Sequence, residues 1–145
     1  MTEILTPETV ELGASLSNRD EAIRRAGELL VNNGHVEDRY IDSMFEREKS
    51  VSTFMGNAVA IPHGTSDSKR WVTRSGLSII TVPEGVEYGD DGDVARLVIG
   101  IAGKGDDHLD ILSRISIVVS EEENVERIVN AQTKEELLAI FEEEA

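Results

Sequence analysis

Gly76-Leu77-Ser78-Ile79-Ile80-Thr81-Val82 and Val94-Ala95-Arg96-Leu97-Val98-Ile99-Gly100-Ile101-Ala102 are the two stretches on which the fold turns. Both are apolar, rich in β-branched residues and too short for buried helices, and each stops at a breaker, Pro83 and Gly103. They read as buried strands. A shorter apolar run, Ala58-Val59-Ala60-Ile61, ends at Pro62 and reads as another. Between the two long runs, Glu84 to Asp93 is polar, carries Gly85, Gly89 and Gly92, and predicts a hairpin or surface loop.

On both sides of this block the period changes to that of helices. Upstream, Asn18 with Glu21 three residues on is a capping-box-like start, followed by an apolar stripe of Ile23, Ala26, Leu29 and Leu30 and a stop at Gly34. A second helix is expected from about Glu37 to Lys49, with Ile41, Met44 and Phe45 inward and Val51 extending the stripe. Downstream, His108, Ile111, Leu112, Ile115, Val118 and Val119 share one helical face, with Asp106 or Asp107 as cap. A short helix from about Asn124 to Val129 follows, and Thr133 with Glu136 opens a last one, whose face is Leu137, Leu138 and Phe141. Helices, then strands, then helices predict a single α/β domain over residues 1–145, one sheet with helices packed on its faces.

Composition narrows the function. The chain has 145 residues, 39 % hydrophobic and 30 % charged, which suits one domain with a sizeable core. Acidic residues number 29 against 14 basic ones, a net charge of −15. Nucleic acids and anionic membranes are bound through Lys and Arg, so neither is an expected partner; the charge suits a basic protein partner, or simply solubility in a salty or crowded cytoplasm. Cysteine is absent, which excludes disulfides, thiolate zinc sites and cysteine catalysis. The start, Met1-Thr2-Glu3-Ile4-Leu5-Thr6-Pro7, lacks a basic segment followed by an apolar one, and no apolar run approaches the roughly 20 residues of a membrane span. The expected location is the cytoplasm.

Reactive side chains are then few. Of three histidines, His35 follows a helix-ending glycine and reads as an exposed loop or helix-start residue. His108, in the first turn of an apolar helix face, reads on spacing alone as a packing residue rather than a ligand. His63 lies in Ala60-Ile61-Pro62-His63-Gly64-Thr65, directly after a strand, with a glycine baring the backbone beside the ring. Open α/β sheets place ligands at such strand ends, although Pro-His-Gly also suits an ordinary turn. No His-x-x-x-His or Glu-x-x-His pair supports a metal, no Gly-x-Ser-x-Gly a hydrolase nucleophile, and no Walker loop direct binding of ATP. No metal or cofactor is expected. A histidine that attacks phosphorus remains: imidazole bonds to a phosphoryl group readily and releases it readily. Such transfer needs a neutral ring and cationic groups for the phosphoryl oxygens. Arg47, whose planar fork suits phosphate, His108 and a helix N-terminus near Asp107 are the candidates.

Met44-Phe45-Glu46-Arg47-Glu48-Lys49, Thr53-Phe54-Met55-Gly56-Asn57 and Ala58-Val59-Ala60-Ile61-Pro62-His63-Gly64-Thr65 resemble the enzyme IIA domain of the phosphoenolpyruvate-dependent sugar phosphotransferase system, mannitol/fructose type. The resemblance continues through Val82-Pro83-Glu84-Gly85-Val86, Ala95 to Ala102 and His108-Leu109-Asp110-Ile111-Leu112, and covers about residues 3 to 142. It implies a mixed sheet of about five strands flanked by helices on both faces. It implies a phosphotransferase with a phosphohistidine intermediate at His63, on Nε2, with Arg47 neutralising the phosphoryl group and His108 positioning it. The implied donor is the phosphocarrier protein HPr, whose basic face suits an acidic chain. The implied acceptor is the IIB part of a IIB/IIC mannitol permease, on a cysteine. Pro-His-Gly-Thr with Val-Pro-Glu-Gly-Val is most like the mannitol branch. Sugar specificity resides in the permease, so the chain, expected to be a monomer, does not bind the sugar itself. The alternatives are a fructose-type or nitrogen-related regulatory IIA protein acting through phosphorylation-dependent binding, and, more remotely, an anion-exchanger-like domain of the same fold.

Overall fold

Period-2 alternation hidden inside the two apolar runs sets the layers. Leu77, Ile79, Leu97, Ile99 and Ile101 enter one core, and Ile80, Val82, Val98 and Ala102 enter the other. Each run is therefore apolar on both faces because both faces are covered. The computed structural model describes residues 4–144; residues 1–3, the first of the stretch read for a leader, and residue 145 lie outside them.

The strands are β1 (Val10–Glu11), β2 (Phe54–Gly56), β3 (Val59–Ala60), β4 (Gly76–Glu87) and β5 (Val94–Ala102), and the helices are α1 (Arg19–Asn32), α2 (Arg39–Ser50), α3 (Asp107–Val119), α4 (Glu122–Val129) and α5 (Lys134–Glu144). They form one five-stranded sheet in the order β1-β4-β5-β3-β2. The sheet is mixed: β4 with β5 and β2 with β3 are antiparallel, while β1 with β4 and β3 with β5 are parallel. Residues of α1 and α2 pack on one face and those of α3, α4 and α5 on the other, as expected.

Three local expectations are corrected. Pro83 does not stop β4, which runs on to Glu87 through a shift in register between Thr81 and Val86. A proline is tolerated where the ladder is interrupted, and Gly85, at φ 83°, takes the left-handed conformation such a bulge uses. The loop after it is consequently short, and Tyr88 within it is buried rather than at the surface. Val51 does not extend the α2 stripe: the backbone turns extended there and the side chain is 66 % exposed.

Both sequence caps form. Asn18 Oδ1 accepts the Glu21 N–H at 2.9 Å, and Thr133 Oγ1 accepts the Glu136 N–H at 3.0 Å. In each case the glutamate reaches back to the N–H one residue before the cap, Ser17 and Gln132. Asp106 occupies the cap position of α3 without a side-chain bond, whereas Asp107 accepts the Ser75 hydroxyl at 2.7 Å. At the β2–β3 turn, Asn57 and Ala58 both have positive φ, 51° and 64°, the pattern of a tight hairpin turn. The Asn57 amide donates to the Val119 and Ser120 carbonyls, so this hairpin closes the last turn of α3.

Candidate active site

Because β3 and β5 are parallel, the chain leaves both at the same edge of the sheet, and ligands in open α/β sheets gather outside such strand ends. Just past β3, His63 bridges Ile101 of β5 in parallel register, and the Ile101 N–H donates to Pro62 O at 3.0 Å. Tyr40 of α2 ties this edge together. Its hydroxyl donates to Ile101 O and accepts the Gly64 N–H, each at 2.9 Å. Burial pushes the Tyr40 phenol up to about 12, so it stays protonated and serves as a brace. Gly64 is required by packing: a Cβ there would lie 2.6 Å from Ser43 Oγ and 2.7 Å from Tyr40 Cε1.

The His63 ring is half-buried, with Nδ1 2.7 Å from the Ile61 carbonyl oxygen. A carbonyl only accepts, so Nδ1 carries the proton and Nε2 holds the free lone pair. Burial chiefly lowers the His63 pKa below the ordinary imidazole value; the Arg47 charge adds to this, and the Ile61 bond and Glu48 oppose it. The ring is therefore neutral at neutral pH. His108, the second residue of α3, stands with its ring centroid 5.0 Å from that of His63 and tilted by 49°. Its pKa is pushed down to about 4, first by burial and then by His63, Lys69 and Arg47. Gly103 makes this approach possible, since a Cβ there would sit 2.6 Å from His108 Cα.

Arg47 comes from the last turn of α2 and donates one Nη1 hydrogen to Val51 O at 2.7 Å. Among the described residues it has no carboxylate partner. Its other N–H groups remain for a ligand. Arg47, His63 and His108 line one cleft of about 460 Å³, together with Lys69, Asp106 and Leu109. The three residues singled out in the sequence are thus brought together, 16 and 45 positions from His63 notwithstanding.

His35 is elsewhere, and its expected exposure is corrected. It is 1 % exposed, with Nδ1 3.1 Å from Ser75 O, because Gly76 lets the ring lie against the start of β4. Sequence reasoning missed Tyr40 and Lys69. Tyr40 could have been found, since it lies two helical turns before Arg47 on α2 and so shares its side of the helix. Among the described residues no group of three or more His, Asp or Glu could hold a metal ion.

The family model described as "Phosphoenolpyruvate-dependent sugar phosphotransferase system, EIIA 2" matches residues 3–144. The chain belongs to this family. It is an enzyme IIA component, a phosphotransferase component that accepts phosphoryl groups and passes them on. It is 58 % identical over 140 residues to the mannitol-specific phosphotransferase enzyme IIA component of Geobacillus stearothermophilus, covering 97 % of this chain and 96 % of that protein. To the component of the same name from Bacillus subtilis (strain 168) it is 54 % identical, covering 97 % of this chain and 98 % of that one. Among solved structures, the complex of enzyme IIA-mannitol and phosphorylated enzyme IIB-mannitol from Escherichia coli contains a chain that superposes with a TM-score of 0.90 at 34 % identity, over 97 % of this chain and 99 % of that one. Among the described residues of this IIA component, no helix is long and apolar enough to cross a membrane.

Proposed function

We propose that this IIA component serves mannitol uptake, carrying a phosphoryl group on His63 between phosphorylated HPr and the IIB part of a mannitol permease. The observation that carries the reading is the His63 ring: Nδ1 is occupied by the Ile61 carbonyl, and the half-buried ring opens on the cleft that Arg47 lines. The mannitol-specific relatives supply the sugar. The Escherichia coli complex, in which enzyme IIA-mannitol is joined to phosphorylated enzyme IIB-mannitol, supplies the acceptor.

In the first half-reaction the Nε2 lone pair of His63 bonds to phosphorus while the phosphorus–nitrogen bond of the donor's phosphohistidine breaks, its electron pair returning to the donor ring. The Ile61 carbonyl holds the Nδ1 proton and accommodates the positive charge the ring gains. Charge on the transferring group is stabilised by the Arg47 guanidinium, anchored on Val51 O before the donor arrives, and by the Lys69 ammonium on the cleft wall. His108, neutral because its pKa is about 4, adds no competing charge and packs the group from the side. In the second half-reaction the IIB thiolate bonds to phosphorus, the bond to Nε2 breaks, and its electrons restore the neutral ring. The net charge of −15 favours the encounter with a basic donor face. The chain acts as a monomer in the cytoplasm and makes no contact with the sugar.

Incubation with phosphoenolpyruvate, enzyme I and HPr is expected to place acid-labile, base-stable phosphate on the protein, and mannitol IIB, rather than fructose IIB, is expected to remove it. Absence of label, or undiminished label on His63→Ala, overturns the assignment of the site; faster discharge to fructose IIB overturns the sugar.

A further inference from the structure

Glu48 enters the site above only as a charge that holds the His63 pKa up; it is also the neighbour of Arg47 in sequence and is only 7 % exposed. Its Oε2 accepts the Thr53 N–H at 2.9 Å, and its Oε1 accepts the Thr53 hydroxyl and, at 3.0 Å, the Tyr88 hydroxyl. Thr53 and Tyr88 are also buried, with their hydroxyls 2.8 Å apart. No cation pairs with Glu48 among the described residues. A buried carboxyl group satisfied by hydrogen bonds alone is costly to place, and an apolar filling is often as stable.

What the cluster does is visible in the turn it closes. Residues 48–53 lead out of α2 toward β2. Glu48 grips the far end of that turn, at Thr53, through buried bonds. Arg47 grips its middle, at Val51 O, through an exposed one. The carbonyl on which the guanidinium rests therefore lies inside a span whose two ends Glu48 holds together. Tyr88, from the turn between β4 and β5, fixes this assembly to the sheet. Tyr88 sits in the stretch whose sequence reads as plain surface loop, and its ring is part of the core beneath α1 and α2.

We infer that Glu48, locked by Thr53 and Tyr88, is a positioning residue for Arg47: it sets where the guanidinium meets the phosphoryl group on His63. The inference rests on the proposed transfer at His63. Its energetic basis is that a preorganised cation stabilises developing charge only if it is already in place, and a displacement of about 1 Å at a reacting centre can cost on the order of 10²-fold in rate.

The test is a double-mutant cycle on transfer from phosphorylated HPr, read as kcat and KM, with thermal unfolding of each variant recorded. Glu48→Gln keeps the shape of the side chain but puts an amide where two donors converge. It is expected to lower kcat about tenfold and to leave KM within about twofold, and Arg47→Ala to lower kcat about 100-fold. If Glu48 acts through Arg47, the double variant is no slower than Arg47→Ala alone. Tyr88→Phe removes one hydroxyl and keeps the ring. It is expected to lower kcat about threefold and to vanish likewise in the Arg47→Ala background, which preserves the cycle if Glu48→Gln fails to fold. Losses that multiply in the double variants, or a native kcat with a lowered Tm, overturn the inference and leave a structural role. A native kcat in Arg47→Ala overturns the reading of the site itself, and the inference with it.

Discussion

His63 and His35 are assembled from the same parts and come out different. Each ring points Nδ1 at a main-chain carbonyl, Ile61 in one case and Ser75 in the other. Each has a glycine nearby, Gly64 or Gly76, where a Cβ could not fit. In both, burial is the first cause of a lowered pKa. The difference lies in what faces the rest of the ring. His35 is sealed at 1 % exposure under the start of β4, while His63 is half-buried and opens on a cleft with Arg47 and Lys69 on its walls. A neutral imidazole of fixed tautomer is therefore not yet a nucleophile. In the proposed transfer, an open cleft and a cation on its wall make the difference, and both come from other elements.

Removing the cation at the open site has the largest expected effect. Arg47→Ala is expected to slow phosphoryl transfer by on the order of 10²-fold with an unchanged Tm, as a charge acting only on the transferring group should. Stopped-flow or rapid-quench transfer from phosphorylated HPr checks it, and a native rate would put Arg47 among bystanders. The sealed site should respond in the opposite sense. In Gly76→Ala the new Cβ would lie within 2.6 Å of His35 Cε1, and this crowding is expected to cost about 1–3 kcal/mol of stability. Thermal unfolding should show it, while kcat of the folded protein stays native; slowed transfer would mean the two histidine sites are coupled. His108→Gln keeps a polar group beside His63 but loses the ring that packs it at 5.0 Å, and about threefold to tenfold slower transfer is expected, with phosphate still on His63. Full retention of the rate would return His108 to packing alone.

For acid, the sign of the effect follows from the shifts. His35, His63 and His108 all have lowered pKa values in the folded state, so the unfolded chain takes up protons first as the pH falls below about 6.5. Their contribution to stability is full above that pH and is lost on acidification, for His108 down to about 4. Between these limits the native protein should lose more Tm than His108→Gln; parallel curves would contradict the shift. Transfer should likewise hold its rate through pH 6.5 and fall only at more acid pH, where His63 itself protonates.

What could be read in the sequence was whatever is local. The two capping boxes and the α1 and α3 stripes depend on spacing along the chain, and the structure forms them; Arg47, His63 and His108 are joined by side-chain chemistry and the family resemblance rather than by spacing, and the structure lines one cleft with all three. What escaped depends on partners far away. β1 is two residues long and exists because β4 lies beside it, 69 residues on, at Val10 opposite Ile79. Pro83 is a strand breaker in a regular ladder and harmless in a bulge, and nothing nearby announces the bulge except Gly85. His35 looked exposed because Gly34 ends a helix before it; only the packing of Gly76 buries it. Glu48 and Tyr88 are polar residues in polar surroundings until the fold joins them across 40 positions.

The central claim is that Nε2 of His63 carries the phosphoryl group while Nδ1 stays on the Ile61 carbonyl. The direct measurement is phosphorus–nitrogen coupling by NMR in protein labelled with ¹⁵N-histidine and phosphorylated through HPr. Coupling is expected at Nε2 of His63 alone, with the Nδ1 proton retained; coupling at Nδ1, or at His108 or His35, would overturn the assignment.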